Sequence, residues 1–157
     1  VLTDFGSQIL TKKGTVPVAA ALGSARLIGV YFSAHWCPPC RQFTPMLAEM
    51  YDSIREDEHD LVAGLGADEH ALEVVFVSSD RDIKGFEDYY GSQPWMSIPF
   101  GESRVGQELS GKFSVSGIPA LFILSGADGS VVDSDGRSTV MNARGDARKL
   151  LKAWKVV

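Results

Sequence analysis

Cys37 and Cys40 are the only cysteines among 157 residues, and they stand within WCPPCR, residues 36 to 41. Two thiols at that spacing can be half of a zinc site, a structural staple or a redox couple. A structural zinc normally takes four ligands. Beyond the two thiols the chain offers His35, His59 and His70, with no second CxxC and no HxxxH group. A structural disulfide closing so short a loop removes little unfolded-state entropy and stabilises weakly. The redox alternative uses every residue of the stretch. With Cys37 at the start of a helix, the unpaired N–H groups of the first turn and the helix dipole stabilise a thiolate, the attacking species in disulfide exchange. Cys40, one turn on, is placed to attack the resulting mixed disulfide and expel the substrate thiol. Pro38 and Pro39 stiffen the turn between them.

Elements that could position such a couple follow from the pattern of apolar residues. RLIGVYFSA (26 to 34) is a short apolar run that suits a buried strand, and its end delivers the cysteines. Phe43, Leu47, Met50, Tyr51 and Ile54 then recur at helical spacing, with Pro45 inside the helix as a predicted kink. The acidic stretch from 55 to 70 reads as a helix end followed by a surface loop. LEVVFVSSD (72 to 80) is a second β-branched strand. After it, Ile83, Phe86 and Tyr90 share a helical face, with Asp82 as cap and Gly91 as stop. QPWMSIPF (93 to 100) reads as irregular, and Val105, Leu109 and Phe113 mark a further helix. Asp128-Gly129 signals a hairpin between two extended runs, and Ala147, Leu150, Leu151 and Trp154 a last helix. Near the start, two short strands flank Lys13-Gly14. The simplest assembly is an α/β domain with a parallel core, an antiparallel hairpin and helices on both faces.

Composition narrows the function classes. A length of 157 residues that is 45% hydrophobic supports one domain with one core. A formal charge of −5 supplies no basic field for nucleic acid. No apolar run approaches the roughly 20 residues that span a bilayer, so a soluble protein without a membrane partner is expected. Two cysteines are too few for a secreted disulfide scaffold, which points to a reducing compartment, the cytoplasm.

WCPPCR after a strand, Pro45 in the following helix, and GIPALFIL (117 to 124) together resemble the thioredoxin superfamily. YFSAHWCPPCRQFTPMLAEMY, VVFVSSDRDIKGFEDYY and QPWMSIPF are similar, more narrowly, to its tryparedoxin and nucleoredoxin branch. The resemblance implies a thioredoxin fold, an α/β domain whose central mixed sheet is flanked by helices on both faces. It would span residues 1 to 157, with 1 to 25 as an N-terminal extension of β-hairpin type. It further implies a cis Pro119 facing the cysteines, with the Ile118 backbone open to an extended substrate segment. The activity implied is that of a protein-disulfide reductase with Cys37 as nucleophile and Cys40 as resolving thiol. Trp36, Pro38, Pro39, Arg41, Ile118, Pro119 and Arg137 would meet the substrate.

No metal or prosthetic cofactor is implied. Electrons would come from a low-molecular-weight dithiol such as trypanothione, or from a thioredoxin or glutathione system, and would go to protein disulfides such as those of peroxiredoxins. The chain is expected to act as a monomer. The alternative is a nucleoredoxin-like, redox-sensitive binding module with little turnover.

Trp36 reads as the rim that receives a substrate, His35 as an exposed residue, and Trp95 as the tryptophan of the family's PW motif or a packing residue. Tyr31 stands where thioredoxins carry a buried acid. Ser79-Asp80-Arg81 replaces the WDE segment of tryparedoxins, so Arg81 reverses the charge which that segment offers to the cationic linker of trypanothione. Arg137 matches the arginine that in tryparedoxins is expected to meet a glycine carboxylate of the ligand.

Overall fold

The computed structural model describes residues 2 to 157. A 3-10 turn (Leu2–Phe5) precedes a hairpin of β1 (Gln8–Thr11) and β2 (Gly14–Pro17), a short α1 (Val18–Leu22) and β3 (Ala25–Ser33), which leads into α2 (Pro38–Leu61). Then come β4 (His70–Ser78), α3 (Ile83–Tyr90), β5 (Met96–Ser97) and α4 (Ser103–Lys112). The chain finishes with β6 (Ala120–Ser125), β7 (Val131–Asp133), α5 (Gly136–Ala143) and α6 (Ala147–Ala153). The strands form one mixed sheet in the order β2-β1-β5-β4-β3-β6-β7.

β3 and β4 are apolar on both faces because both faces are covered, as a parallel central pair requires. Successive side chains of β3 alternate between two cores. Leu27 and Tyr31 point to the side packed by α2, α3, α5 and α6, while Ile28, Val30 and Phe32 meet α1, α4 and the N-terminal turn. The hairpin is stitched into the same sheet by Leu10 pairing with Ser97 of β5.

Register brings the chemistry to one edge. β3 runs parallel to β4 with Ser33 opposite Ser78, and antiparallel to β6 with Phe32 opposite Ala120. The end of β3, the end of β4 and the start of β6 therefore meet, carrying Cys37, Ser79 to Arg81, and Pro119.

Four features depart from the sequence pattern. α2 ends at Leu61, within the stretch that reads as a helix end and surface loop, but Glu58 in it is not surface: it carries on the inward stripe begun by Phe43 and is only 2% exposed. An apolar count stops at such a residue. Ile83 is 57% exposed, and the buried face of α3 is Phe86, Tyr89 and Tyr90. The irregular stretch from 93 to 100 contains the two-residue strand β5, too short for alternation to register. α5 gives no pattern in the sequence, since Val140 and Ala143 are its only buried apolar side chains and Ser, Thr and Asn are weak helix formers. Asp135 caps it by accepting the Ser138 N–H, and Gly136 permits the close approach: a Cβ there would lie 2.9 Å from Leu121 Cγ. The Asp128-Gly129 hairpin forms with Gly129 at φ 74, and Asp82 caps α3 through the Gly85 N–H.

Candidate active site

Cys37 is the N-cap of α2, and the Cys40 N–H donates to its Sγ at 3.3 Å. Pro38 and Pro39 occupy the first two helical positions and bring no N–H, so the Cys40 amide is the first donor the helix can aim at sulfur. The Cys37 Sγ in turn points at the Ile118 carbonyl, 3.8 Å away, across from the cis Ile118-Pro119 peptide. Ala34, Cys37 and Cys40 form a small buried cluster closed by Ile118. Both cysteines are free thiols. Among the described residues no three His, Cys, Asp or Glu side chains are grouped to hold a metal ion.

Cys40 is fully buried, and its surroundings are neutral. Burial, joined by the adjoining Cys37 thiol, pushes the Cys40 thiol up to about 11, while the Ser33 hydroxyl and the Ala34 backbone favour its anion to a lesser degree. Ser33 begins a chain of buried hydroxyls. Ser33 Oγ lies 2.6 Å from Tyr89 Oη, which lies 2.6 Å from Thr44 Oγ1, which lies 2.6 Å from Tyr31 Oη. The Thr44 hydroxyl also reaches the Cys40 carbonyl at 2.9 Å. Burial holds the Tyr31 and Tyr89 phenols above their ordinary range, so the chain stays uncharged. Tyr31 thus joins a hydroxyl network at the position where an acid would be a fixed charge.

The rim is more polar. Trp36 is 48% exposed, and its indole N–H donates to the Ser79 carbonyl at 3.0 Å. The Asp80 carboxylate accepts the His35 N–H and the Ser78 hydroxyl, each at 2.7 Å, and so clips the loop after β4 to the loop after β3. The Arg81 guanidinium lies 5.0 Å from the Trp36 ring centre. His35 is exposed beside Tyr89, with ring centres 5.7 Å apart. Two clefts flank the cysteines. One of about 590 Å³ runs from Ile118 past Ser79 and Asp80 to the start of α4. The other, of about 650 Å³, is lined by His35, Arg41, Thr44 and Tyr89 and continues to Glu49, Asp52 and Asp88.

Of the residues singled out in the sequence, Trp36, Cys37, Pro38, Pro39, Cys40, Arg41, Ile118 and Pro119 gather at this edge. Arg137 lies in the first turn of α5, next to Gly136, which packs on Leu121, two residues beyond Pro119, and it lines neither cleft beside the cysteines. It forms no ion pair among the described residues. Trp95 is a core residue, edge-on to Tyr31 and Tyr51, with its N–H donated to Gln93. Ser33, Thr44 and Tyr89 carried no sequence signal of their own, and Asp80 stood out only as part of the segment that replaces WDE. Tyr31 in place of an acid was the one hint that hydroxyls surround the resolving thiol.

Residues 24–131 match a family model described as Thioredoxin-like. The chain is 40% identical over 141 residues to probable nucleoredoxin 1 of Arabidopsis thaliana, covering 90% of this chain and 22% of that protein. It is 35% identical over 135 residues to tryparedoxin of Trypanosoma brucei brucei, covering 86% of this chain and 84% of that one. Native tryparedoxin I from Crithidia fasciculata superposes with a TM-score of 0.77 at 34% identity, over 92% of this chain and 93% of that chain. The chain therefore spans most of tryparedoxin but less than a quarter of that nucleoredoxin's length.

Proposed function

From the premise that the chain belongs to the thioredoxin-like family, an oxidoreductase lineage shared with tryparedoxin and nucleoredoxin, we propose that it reduces protein disulfides through Cys37 and Cys40. The observation that carries this reading is the Cys37 sulfur, set at a helix N-cap with the Cys40 amide donating to it and Cys40 buried behind it.

The Cys37 thiolate attacks one sulfur of a substrate disulfide, forms a mixed disulfide, and releases the other half as a thiolate that takes up a proton. Cys40 gives up its proton and attacks the Cys37 sulfur, which forms the Cys37–Cys40 disulfide and frees the second half. Two electrons have passed from the protein dithiol to the substrate. A low-molecular-weight dithiol such as trypanothione, or a thioredoxin or glutathione system, returns them in a reducing compartment such as the cytoplasm. The substrates in this reading are oxidised proteins, peroxiredoxins among them. Trp36, Pro38, Pro39, Arg41, Ile118 and Pro119 line the approach to Cys37. The proton of Cys40 leaves along Ser33, Tyr89 and Thr44, which end at the cleft shared with His35.

The test is turnover of insulin disulfides and of an oxidised peroxiredoxin, with trypanothione, glutathione or thioredoxin and its reductase as donor. One donor should sustain many cycles, and the Cys40→Ser variant should trap a mixed disulfide at Cys37. Turnover that survives Cys37→Ser ends the proposal. The second reading, a nucleoredoxin-like module whose partner affinity changes with oxidation, is favoured by the 40% identity to a nucleoredoxin. It predicts reduction without sustained cycling and a partner that binds one redox form only.

A further inference from the structure

The guanidinium beside Trp36 is a cation that enters no ion pair among the described residues. Arg81 is exposed and sits over the Trp36 ring, with its charge 5.0 Å from the ring centre. The indole is itself fixed, because its N–H donates to the Ser79 carbonyl. The flanking Asp80 and Asp82 keep their charge but aim their oxygens at other donors. Asp80 accepts the His35 N–H and the Ser78 hydroxyl, and Asp82 accepts the Gly85 N–H at the start of α3. The residue adjoining Trp36 in the chain is Cys37, so this cation stands at the rim of the sulfur that meets the substrate.

We propose that Arg81, held over Trp36, is a specificity determinant that binds a carboxylate next to the disulfide being reduced. The inference rests on the reductase reading above and names the class of substrate: disulfides with an anionic group close to the attacked sulfur. A guanidinium presents several N–H donors in a plane and suits a carboxylate better than an ammonium does. A guanidinium held over an indole face by cation–π attraction keeps N–H groups that can still meet a carboxylate. The overall charge of −5 would draw in cationic disulfides instead, so a preference for anions can only be local. The carboxylate has two sources, a small acidic disulfide or an acidic residue beside a protein cysteine, and both present the same chemistry.

The experiment measures rates of reaction of the reduced protein with 3,3′-dithiodipropionate (anionic), 2-hydroxyethyl disulfide (neutral) and cystamine (cationic). Each rate is divided by that of the same disulfide with dithiothreitol to remove intrinsic reactivity. At low salt the anionic disulfide should lead the cationic one by about three- to tenfold, the size expected of one partly solvated charge pair, and the lead should shrink in high salt. Arg81→Met should erase the lead and Arg81→Glu should reverse it. Two disulfide-linked peptides with Asp or Lys beside the cysteine separate the sources. A lead confined to the peptides assigns the site to protein substrates, and a lead confined to dithiodipropionate assigns it to small acidic disulfides. Equal rates in both sets, or a ratio that Arg81→Glu leaves unmoved, overturns the inference. Failure to react with any disulfide faster than Cys37→Ser does would instead sink the reductase reading.

Discussion

At its N-terminal end α2 closes over a thiol and four hydroxyls; at its C-terminal end it closes over two carboxylates. Near Cys40, every buried polar side chain is neutral: Ser33, Thr44, Tyr31 and Tyr89. Towards the other end of the helix, Glu58 accepts the Ala71 N–H at 2.7 Å and pairs with His70 at 2.9 Å, while Glu73 pairs with Arg55 and accepts the Tyr51 hydroxyl at 3.0 Å. A buried charge must be paired to be tolerated, and once paired it holds its partners in one geometry. A neutral hydroxyl chain can pass a proton and return to its starting state. The fixed charges stand where the fold needs an anchor, and the uncharged end is where a thiol has to change protonation state.

Removing the sulfur should have the largest effect. Cys37→Ser is expected to abolish disulfide reduction, a loss of at least about a thousandfold, since no other sulfur is placed to attack first. Insulin reduction in the presence of a donor reads this directly. Residual activity within tenfold of the parent would move the chemistry away from α2 altogether.

The opposite end predicts a stability effect without a catalytic one. Glu58→Ala leaves the Ala71 N–H without its acceptor and removes the carboxylate that lies 3.8 Å from Arg55, which should cost about 3 kcal/mol and lower Tm by roughly 10 °C. Below the transition, the rate of Cys37 with 2-hydroxyethyl disulfide should be unchanged. A fall in that rate at constant stability would show that the two ends are not separable.

The sequence was more legible at the reacting end than at the anchoring end. Cys37, Pro38, Pro39 and Cys40 lie within one turn, and their geometry follows from helix capping alone. Ile118 and Pro119 came from the resemblance, and it is the pairing of Phe32 with Ala120 that brings them to the cysteines. Glu58 looked like surface because a charged residue breaks an apolar stripe, and its partners His70 and Ala71 lie across a turn that local pattern does not reveal. α5 was invisible for a related reason: its start depends on Gly136 fitting against Leu121, a contact between distant parts of the chain. Tyr89 gives no signal in the pattern because its neighbour Tyr90 fits the helical stripe better, although both are buried.

The neutral end also makes a prediction about pH. Burial first, and then the Cys37 thiol, raise Cys40 from 9.0 to about 11, so the reactive anion is scarce at neutral pH. With a mixed disulfide preloaded on Cys37 the neighbouring thiol is gone and burial alone holds Cys40 up, so the rate of resolution should climb with pH from 7 and still be rising above pH 9. The sign for stability is opposite. A thiol whose pKa is higher in the folded state favours the folded state below pH 9, and that contribution is lost as pH rises from 9 towards 11. A resolution rate that levels off near pH 8 would mean that Cys40 is ionised far more readily than its burial implies.

The smallest effect discriminates most finely. Tyr89→Phe keeps the ring but removes the hydroxyl that joins Ser33 to Thr44. Two hydroxyls then lose a partner, at about 1 kcal/mol of stability. If the chain only fills space, resolution of the mixed disulfide should be unaffected. If it carries the proton of Cys40, resolution should slow by about three- to tenfold near neutral pH, the lower range for a positioned proton-transfer group. The deficit should close as pH approaches 11, where hydroxide takes the proton instead. The first attack by Cys37 does not use that proton, so its rate should stay the same in the variant. A loss that is equal in both steps, or that persists at every pH, would mean that Tyr89 acts through packing and that the neutral end is an anchor like the charged one.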